Sequence, residues 1–276
     1  MTLGGLLAAT SRDLERAGVD TPRLDAELLV THALGLSRLE LYTSLDRQLG
    51  ERELAALDPL VRRRVRREPL AYVLGEWGFR RLTLRTDARA LVPRPETEIV
   101  VDRALAAIAG CAAPRVVDVG TGSGAIALAI ADEHPSAVVT ATDVSAGALA
   151  LARENAARLG LEVEFVETSL LAGQTGPFDL VVSNPPYVGE AEVPSLPPEV
   201  RDFEPRVAVV GALAAELAAA ARAVLVPGGA LVLESHSEHA REVAAAVAEL
   251  GYREATIGRD LTGAERVVEA RWRPET

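Results

Sequence analysis

Through the first seventy or so positions, apolar residues recur every three or four places: Leu3, Leu6, Leu7 and Leu14, then Leu24 and Leu28, then Leu54, Leu57, Val61 and Val65. That is the period of helices with one apolar face, and each face needs another surface to cover it. A small helical bundle is therefore predicted over residues 1–72. The arginines of VRRRVRR, at positions 62, 63, 64, 66 and 67, are expected on the outward side of the third stripe, as a solvated face or as a contact for an anionic partner.

The pattern then changes. Gly75, Trp77, Gly78 and Phe79 precede the alternating run RRLTLRTDARALV, which reads as a hairpin connector over residues 73–92. From residue 93 to 276, short β-type runs alternate with helical ones. Strands are predicted at 115–119, 137–143, 162–166, 178–183 and 230–234, and helices at 96–108, 125–133, 146–159, 211–225 and 238–250. Strands alternating with helices of this length indicate a mostly parallel sheet covered on both faces. Two last strands, near 254–257 and 266–270, have no helix between them and should pair antiparallel. The longest loop is expected at 189–206, which is rich in Pro, Glu and Ser, and long ordered loops tend to carry function.

Composition removes several classes. The 276 residues carry 29 basic and 40 acidic side chains, a net charge of −11, and every basic one is arginine because lysine is absent. Such a balance argues against duplex nucleic acid as the main partner, since that binding rests on neutralising phosphates. At 49% apolar and 25% charged the chain is neither disordered nor fibrous. No apolar run approaches the ~20 residues of a membrane span, and the N-terminus lacks the basic start of a signal peptide. A cytoplasmic monomer is expected. Cys111, the single cysteine, can form no internal disulfide.

Candidate chemistry clusters where strands end. RVVDVGTGSGAIALAIA is a β run closing on Asp118, a turn Gly120-Thr121-Gly122-Ser123-Gly124, and a helix. Glycines there permit a tight turn and let a ligand reach backbone that a Cβ would screen. The turn also fits a loose dinucleotide fingerprint, so by itself it does not select a cofactor. Asp143 ends the next strand 23 residues after Gly120, close to where a carboxylate meets ribose hydroxyls. An Asp directly before the glycine turn favours S-adenosylmethionine, whose ammonium suits acidic neighbours, over NAD.

A third strand runs into Asn184-Pro185-Pro186-Tyr187. The prolines fix the backbone and remove two N–H donors. That leaves the Asn184 side-chain oxygen and the Pro185 carbonyl as paired acceptors, with Tyr187 as a flat surface. This set suits a planar NH₂ group with two protons to offer, whether adenine N6, cytosine N4 or a glutamine amide. Glu234, His236 and His239 have metal-like spacing without further ligands, so no metal is expected. Arg94, Glu96 and Glu98 are placed either beside the cofactor's methionine end or, with Thr97, at a helix start.

Taken together, these residues resemble the class I S-adenosylmethionine-dependent methyltransferases, and within them the release factor glutamine methyltransferases (HemK/PrmC). The resemblance runs through LDAELLVTHALG, REPLAYVLGEWGF, LVPRPETEIVV, DVGTGSGAIALAIA, NPPY, FEPRVAV, LVPGGALVLE and DLTGAERVV. It implies a Rossmann-like, seven-stranded methyltransferase domain over 93–276 behind a substrate-recognising helical domain. It also implies N5-methylation of the glutamine in the Gly-Gly-Gln motif of class 1 peptide chain release factors, leaving S-adenosylhomocysteine. By motif, residues 120–124 and Asp143 would hold the cofactor, and Asn184 would contact both cofactor and substrate. Asn184, Pro185, Pro186 and Tyr187 would clamp the glutamine amide, with Asn184, Pro185 and Tyr187 catalytic. The chain departs from the family pattern in three places. ETSLL replaces a GDL-like motif, with Ser169 as the stand-in facing adenine; AVVGALAAEL follows FEPR; and ESHSEH follows the strand of Glu234. An amino-methyltransferase acting on a nucleic-acid base such as adenine N6 would share NPPY, but would need a target-recognition insertion or basic channel that is not visible. An NAD-dependent oxidoreductase is disfavoured by NPPY.

Overall fold

The structure, a computed structural model, describes residues 1–274. They divide into two compact units, one of Met1–Glu76 with Pro197–Phe203, the other of Trp77–Leu196 with the chain from Glu204 onward.

The first unit is helical. Helices Leu3–Arg16, Pro22–Leu34, Arg38–Thr43, Glu51–Val65 and Leu70–Leu74 follow one another. Leu3, Leu7, Leu14, Leu29, Val30, Leu41 and Leu57 close on a common core, so the three-and-four spacing marks the buried stripes. Leu24 and Val65, read as part of those stripes, are exposed. The arginine run also differs from expectation. Arg64 is buried, with its Nε donating to Asp25 at 2.7 Å and its Nη1 to Glu199 at 2.8 Å. Arg67 grips the same Glu199 through Nε and Nη2, at 2.6 and 2.8 Å. Arg63 pairs with Glu68 and donates to the carbonyls of Tyr72 and Val73. Buried guanidinium groups require such partners, and Glu199 shows why the distant segment 197–203 belongs to this unit rather than to a free loop.

The hairpin of β1 (Glu76–Phe79) and β2 (Leu82–Arg85) follows, and from Trp77 onward it belongs to the second unit. That unit then builds a seven-stranded sheet from β3 (Arg115–Val119), β4 (Val138–Asp143), β5 (Glu164–Glu167), β6 (Phe178–Ser183), β7 (Leu225–Glu234), β8 (Arg253–Arg259) and β9 (Glu265–Arg271). The order across the sheet is β5-β4-β3-β6-β7-β9-β8. The first five strands pair parallel, while β9 pairs antiparallel with both β7 and β8. Helices cover both faces. Residues of Thr97–Ile108 and Ala125–Glu133 share one core with the hairpin's Phe79, Leu82 and Leu84. Residues of Ala214–Ala221 and Ala240–Glu249 share the other with Val117, Val181 and Leu231. Because β3 is followed in the chain by β4 on one side and flanked by β6 on the other, strand order reverses at β3. Ligands of open α/β sheets bind beyond the carboxyl ends of the strands at that point.

Three elements differ from the pattern. The segment expected as the longest loop, 189–206, instead forms a 3₁₀ turn at Glu190–Ser195 and a short helix at Pro198–Phe203. β7 begins at Leu225, not near Ala230, because Val226-Pro227-Gly228-Gly229 lies within an irregular start, with a register shift against β6. The preceding helix spans only Ala214–Ala221, and Gly211, expected at its start, instead donates its amide to the Val188 carbonyl at 3.0 Å beside a bridge between Val188 and Val210. Among the described residues no helix is long and apolar enough to cross a membrane.

Candidate active site

A cleft of about 1120 Å³, counting the solvent at its mouth, opens at the carboxyl ends of β3, β4 and β6. Gly120, Thr121, Gly122, Ser123, Asp143, Ser169, Asn184, Pro185 and Pro186 all line it, so three separate motifs meet in one place.

The glycine turn is held from several sides. Gly120 takes φ +71°, and a Cβ there would meet nothing within 4 Å, so its open face is free for a ligand. Gly124, at φ +87°, does not line the cleft; an added Cβ would lie 2.9 Å from Leu128 Cδ1, and its smallness serves the start of the helix. The Gly122 amide donates to Asp143 Oδ2 and the Ser145 amide to Oδ1, both at 2.9 Å. A carboxylate has about four acceptor sites, so Asp143 can still receive hydroxyl hydrogens from a ribose. Asn155, which the sequence reading did not single out, is fully buried. It bonds the Ser123 carbonyl at 2.9 Å and both backbone groups of Arg85, tying the turn to β2. A polar residue on the buried side of a helix was its only advance signal.

Asp118 lies beneath the turn. Its Oδ2 accepts from Thr121 Oγ1 at 2.6 Å and from the Ala127 amide at 3.1 Å, while Oδ1 is buried without a partner. Burial pushes its carboxyl up to about 7, with Asp143 adding in the same direction. Glu234, at the end of β7, is likewise pushed up to about 7 by burial. Two buried carboxyls whose charged forms are disfavoured by burial, each bonded to a residue that lines the cleft, make this end of the sheet favourable for a cation. Together with the open glycine face, Asp143, and the apolar Val144, Val207 and Leu213 on the walls, this fits S-adenosylmethionine, which joins a nucleoside to a sulfonium and an ammonium.

Asn184 begins where β6 stops. Ser183 Oγ donates to the Val119 carbonyl at 2.6 Å, fixing β6 against β3 just before the tetrapeptide. The Asn184 Nδ2 donates to Thr97 Oγ1 at 3.3 Å, and Thr97 Oγ1 donates to Glu234 Oε2 at 2.6 Å. Thr97 is thus the first residue of its helix, and its side chain does not cap it; Glu96 occupies the cap position without a side-chain bond. Arg94 lines the cleft and pairs with Glu204 at 2.6 Å, and Glu204 also accepts from the Val92 amide at 3.2 Å. Glu98 receives the Arg80 amide instead of facing the cleft. Tyr187 lies outside the lining, its half-buried ring 6.0 Å from that of His236, and burial raises its phenol. Ser169 is an exposed lining residue in the turn after β5. Among the described residues no group of His, Cys, Asp and Glu is arranged to hold a metal.

Comparison with known proteins bears on both units. Residues 5–75 match the family model described as PrmC N-terminal domain, and residues 98–196 match the Methyltransferase small domain. A release factor glutamine methyltransferase of Deinococcus radiodurans is 48% identical over 98% of this chain and 99% of its own length. One of Chlorobaculum tepidum is 43% identical over 86% of each chain. Among solved structures, a methyltransferase of Pyrococcus furiosus superposes with a TM-score of 0.52 over 70% of this chain and 90% of its own, at 20% identity. A 16S rRNA methyltransferase of T. thermophilus, in complex with AdoMet and guanosine, gives 0.53 over 72% and 50%, at 17% identity. These two likenesses concern the fold.

Proposed function

We propose, from the premise that this chain belongs to the release factor glutamine methyltransferase family, that it moves a methyl group from S-adenosylmethionine to a glutamine side-chain amide. The acceptor is the N5 nitrogen in the Gly-Gly-Gln motif of class 1 peptide chain release factors, and S-adenosylhomocysteine is released. The observation that carries this reading is the placement of Asn184 and Pro185 on the same cleft as Gly120 and Asp143. A cytoplasmic monomer acting on a protein, without binding duplex nucleic acid, completes the proposal. The adenine reading is not favoured, because the relatives that match nearly the whole chain are named for glutamine.

Bound in the cleft, the cofactor supplies an electrophilic methyl carbon. The glycine turn and Asp143 hold its nucleoside, leaving the acceptor side to the tetrapeptide. An amide nitrogen is a poor nucleophile because its lone pair is delocalised into the carbonyl, the resonance that keeps peptide bonds planar. Asn184 Oδ1 and the Pro185 carbonyl accept the two amide hydrogens, drawing electron density onto nitrogen and fixing its direction. Alignment of this kind is worth roughly 7–11 kcal/mol in favourable cases. Tyr187 lies outside the cleft lining, with its ring 6.0 Å from that of His236. No side chain is needed as a base before transfer, since the proton leaves readily once the nitrogen carries the methyl group.

Mass spectrometry of a release factor incubated with the enzyme and S-adenosylmethionine tests the proposal. One added methyl on the Gly-Gly-Gln glutamine is expected; methylation confined to another residue would refute it.

A further inference from the structure

The three-residue chain from Glu234 through Thr97 to Asn184 draws on parts of the sequence 137 and 87 residues apart. β6 and β7 are adjacent and parallel, with Ser183 in register with Leu233. Asn184 and Glu234 therefore stand side by side at the carboxyl ends of β6 and β7, and Thr97 reaches between them from the first turn of its helix. Thr97 and Glu234 are both buried, so neither can exchange its partner for water.

A threonine hydroxyl has one hydrogen to give. An ionised carboxylate only accepts, so Glu234 claims that hydrogen and the Thr97 oxygen is left as an acceptor. Only the NH₂ end of Asn184 can satisfy it. The amide is thereby held one way round, and Oδ1 becomes the free end. Turned over, Asn184 would present donors to a substrate amide that itself offers donors.

We propose that Thr97 and Glu234 are positioning residues that set the orientation of the Asn184 amide, making it an acceptor toward the substrate NH₂ group. This rests on the glutamine-methylating reading and adds two residues to its machinery. The charged and titratable groups bearing on Glu234 are Glu96, Arg94, Arg266 and Tyr187; near pH 8 Glu234 is mainly ionised.

The test is steady-state methylation of a release factor at about pH 8 by wild type, Thr97→Val, Thr97→Ser, Glu234→Gln, the Val/Gln double variant and Asn184→Ala, with S-adenosylmethionine affinity measured by calorimetry. Thr97→Val removes the acceptor. Glu234→Gln can donate its own amide to Thr97 and release the hydroxyl hydrogen toward Asn184. Each should lower kcat about ten- to hundredfold while cofactor affinity changes less than about threefold. Thr97→Ser should recover most of the rate. The double variant should be little worse than either single one, as expected of residues acting through one contact. Wild-type kcat in Thr97→Val or Glu234→Gln, a Thr97→Ser enzyme as slow as Thr97→Val, or fully additive losses would overturn the proposal. Failure of the underlying reading looks different: wild type would not methylate the glutamine, or Asn184→Ala would match it.

Discussion

The Gly122 amide donates to Asp143 Oδ2 at 2.9 Å, so the carboxylate at the end of β4 shapes the glycine turn after β3. Asp143 is thus both a wall of the cleft and a brace for the turn beside it. Asp143→Ala removes a charge-assisted bond to the backbone as well as the acceptor for a ribose. Bonds to charged groups contribute about 1.5–3 kcal/mol, so affinity for S-adenosylmethionine should fall roughly ten- to hundredfold in calorimetry. Unchanged affinity would move the ribose contact elsewhere.

Asp118 gives the protein a signature in pH. Its carboxyl lies near 7 in the folded state against an ordinary 3.8, because burial disfavours the charge. The folded protein therefore holds this proton more tightly than the unfolded chain between those values. The resulting stabilisation is fully present below about 4 and is lost as pH rises through about 7, on the order of 4 kcal/mol. Asp118→Asn is neutral throughout and keeps an acceptor for Thr121. By scanning calorimetry, the melting temperature of the variant relative to wild type should rise from pH 5 to about pH 7 and then level off. A constant difference would show that Asp118 does not titrate in that range.

Asp118 and Glu234 each accept a hydrogen bond from a residue that lines the cleft, Thr121 and Thr97, so a cation bound there should also lower their proton affinity. Near pH 7, S-adenosylmethionine binding should release protons, seen as a binding enthalpy that depends on the ionisation enthalpy of the buffer. Sinefungin, which has an amine in place of the sulfonium, should do the same, while adenosine should not. Equal buffer dependence for all three ligands would contradict this.

In the first unit, Arg64 is buried between Asp25 and Glu199. Removing one partner of a buried ion pair costs about 3–5 kcal/mol because the remaining charge is left uncompensated. Arg64→Ala should lower stability by that order in urea unfolding and speed proteolytic cutting near residues 197–203. Arg64→Lys should recover only part, since Nε and Nη1 point at different carboxylates. Wild-type stability and cutting in Arg64→Ala would show that the Arg64 contacts do not hold that segment.

Local order was plain in the sequence. The strands Arg115–Val119 and Phe178–Ser183 and the helices Ala125–Glu133 and Ala146–Leu159 fall where the pattern predicts them, because each is bounded by a glycine, a proline or a cap at its own ends. Asn184 and Asp143 could be found because both directly follow or end a β run. Partnerships across the chain were not legible. Thr97 reads locally as a helix-capping residue, and only the adjacency of β6 and β7 shows that its hydroxyl has Glu234 and Asn184 to serve. Arg64 reads as one of five surface arginines, since nothing near it in sequence announces Glu199. The VPGG stretch looks like a turn, yet it forms the irregular start of β7 because the strands beside it continue the sheet.

The most direct test of the account is transfer of a radiolabelled methyl group from S-adenosylmethionine by wild type and Asn184→Ala. The acceptors are a purified release factor, its variant with Ala in place of the Gly-Gly-Gln glutamine, and DNA. Wild type should label only the intact release factor, and Asn184→Ala should be slower by at least about a hundredfold while still binding the cofactor. Label in DNA alone, or equal labelling by both enzymes, would contradict it.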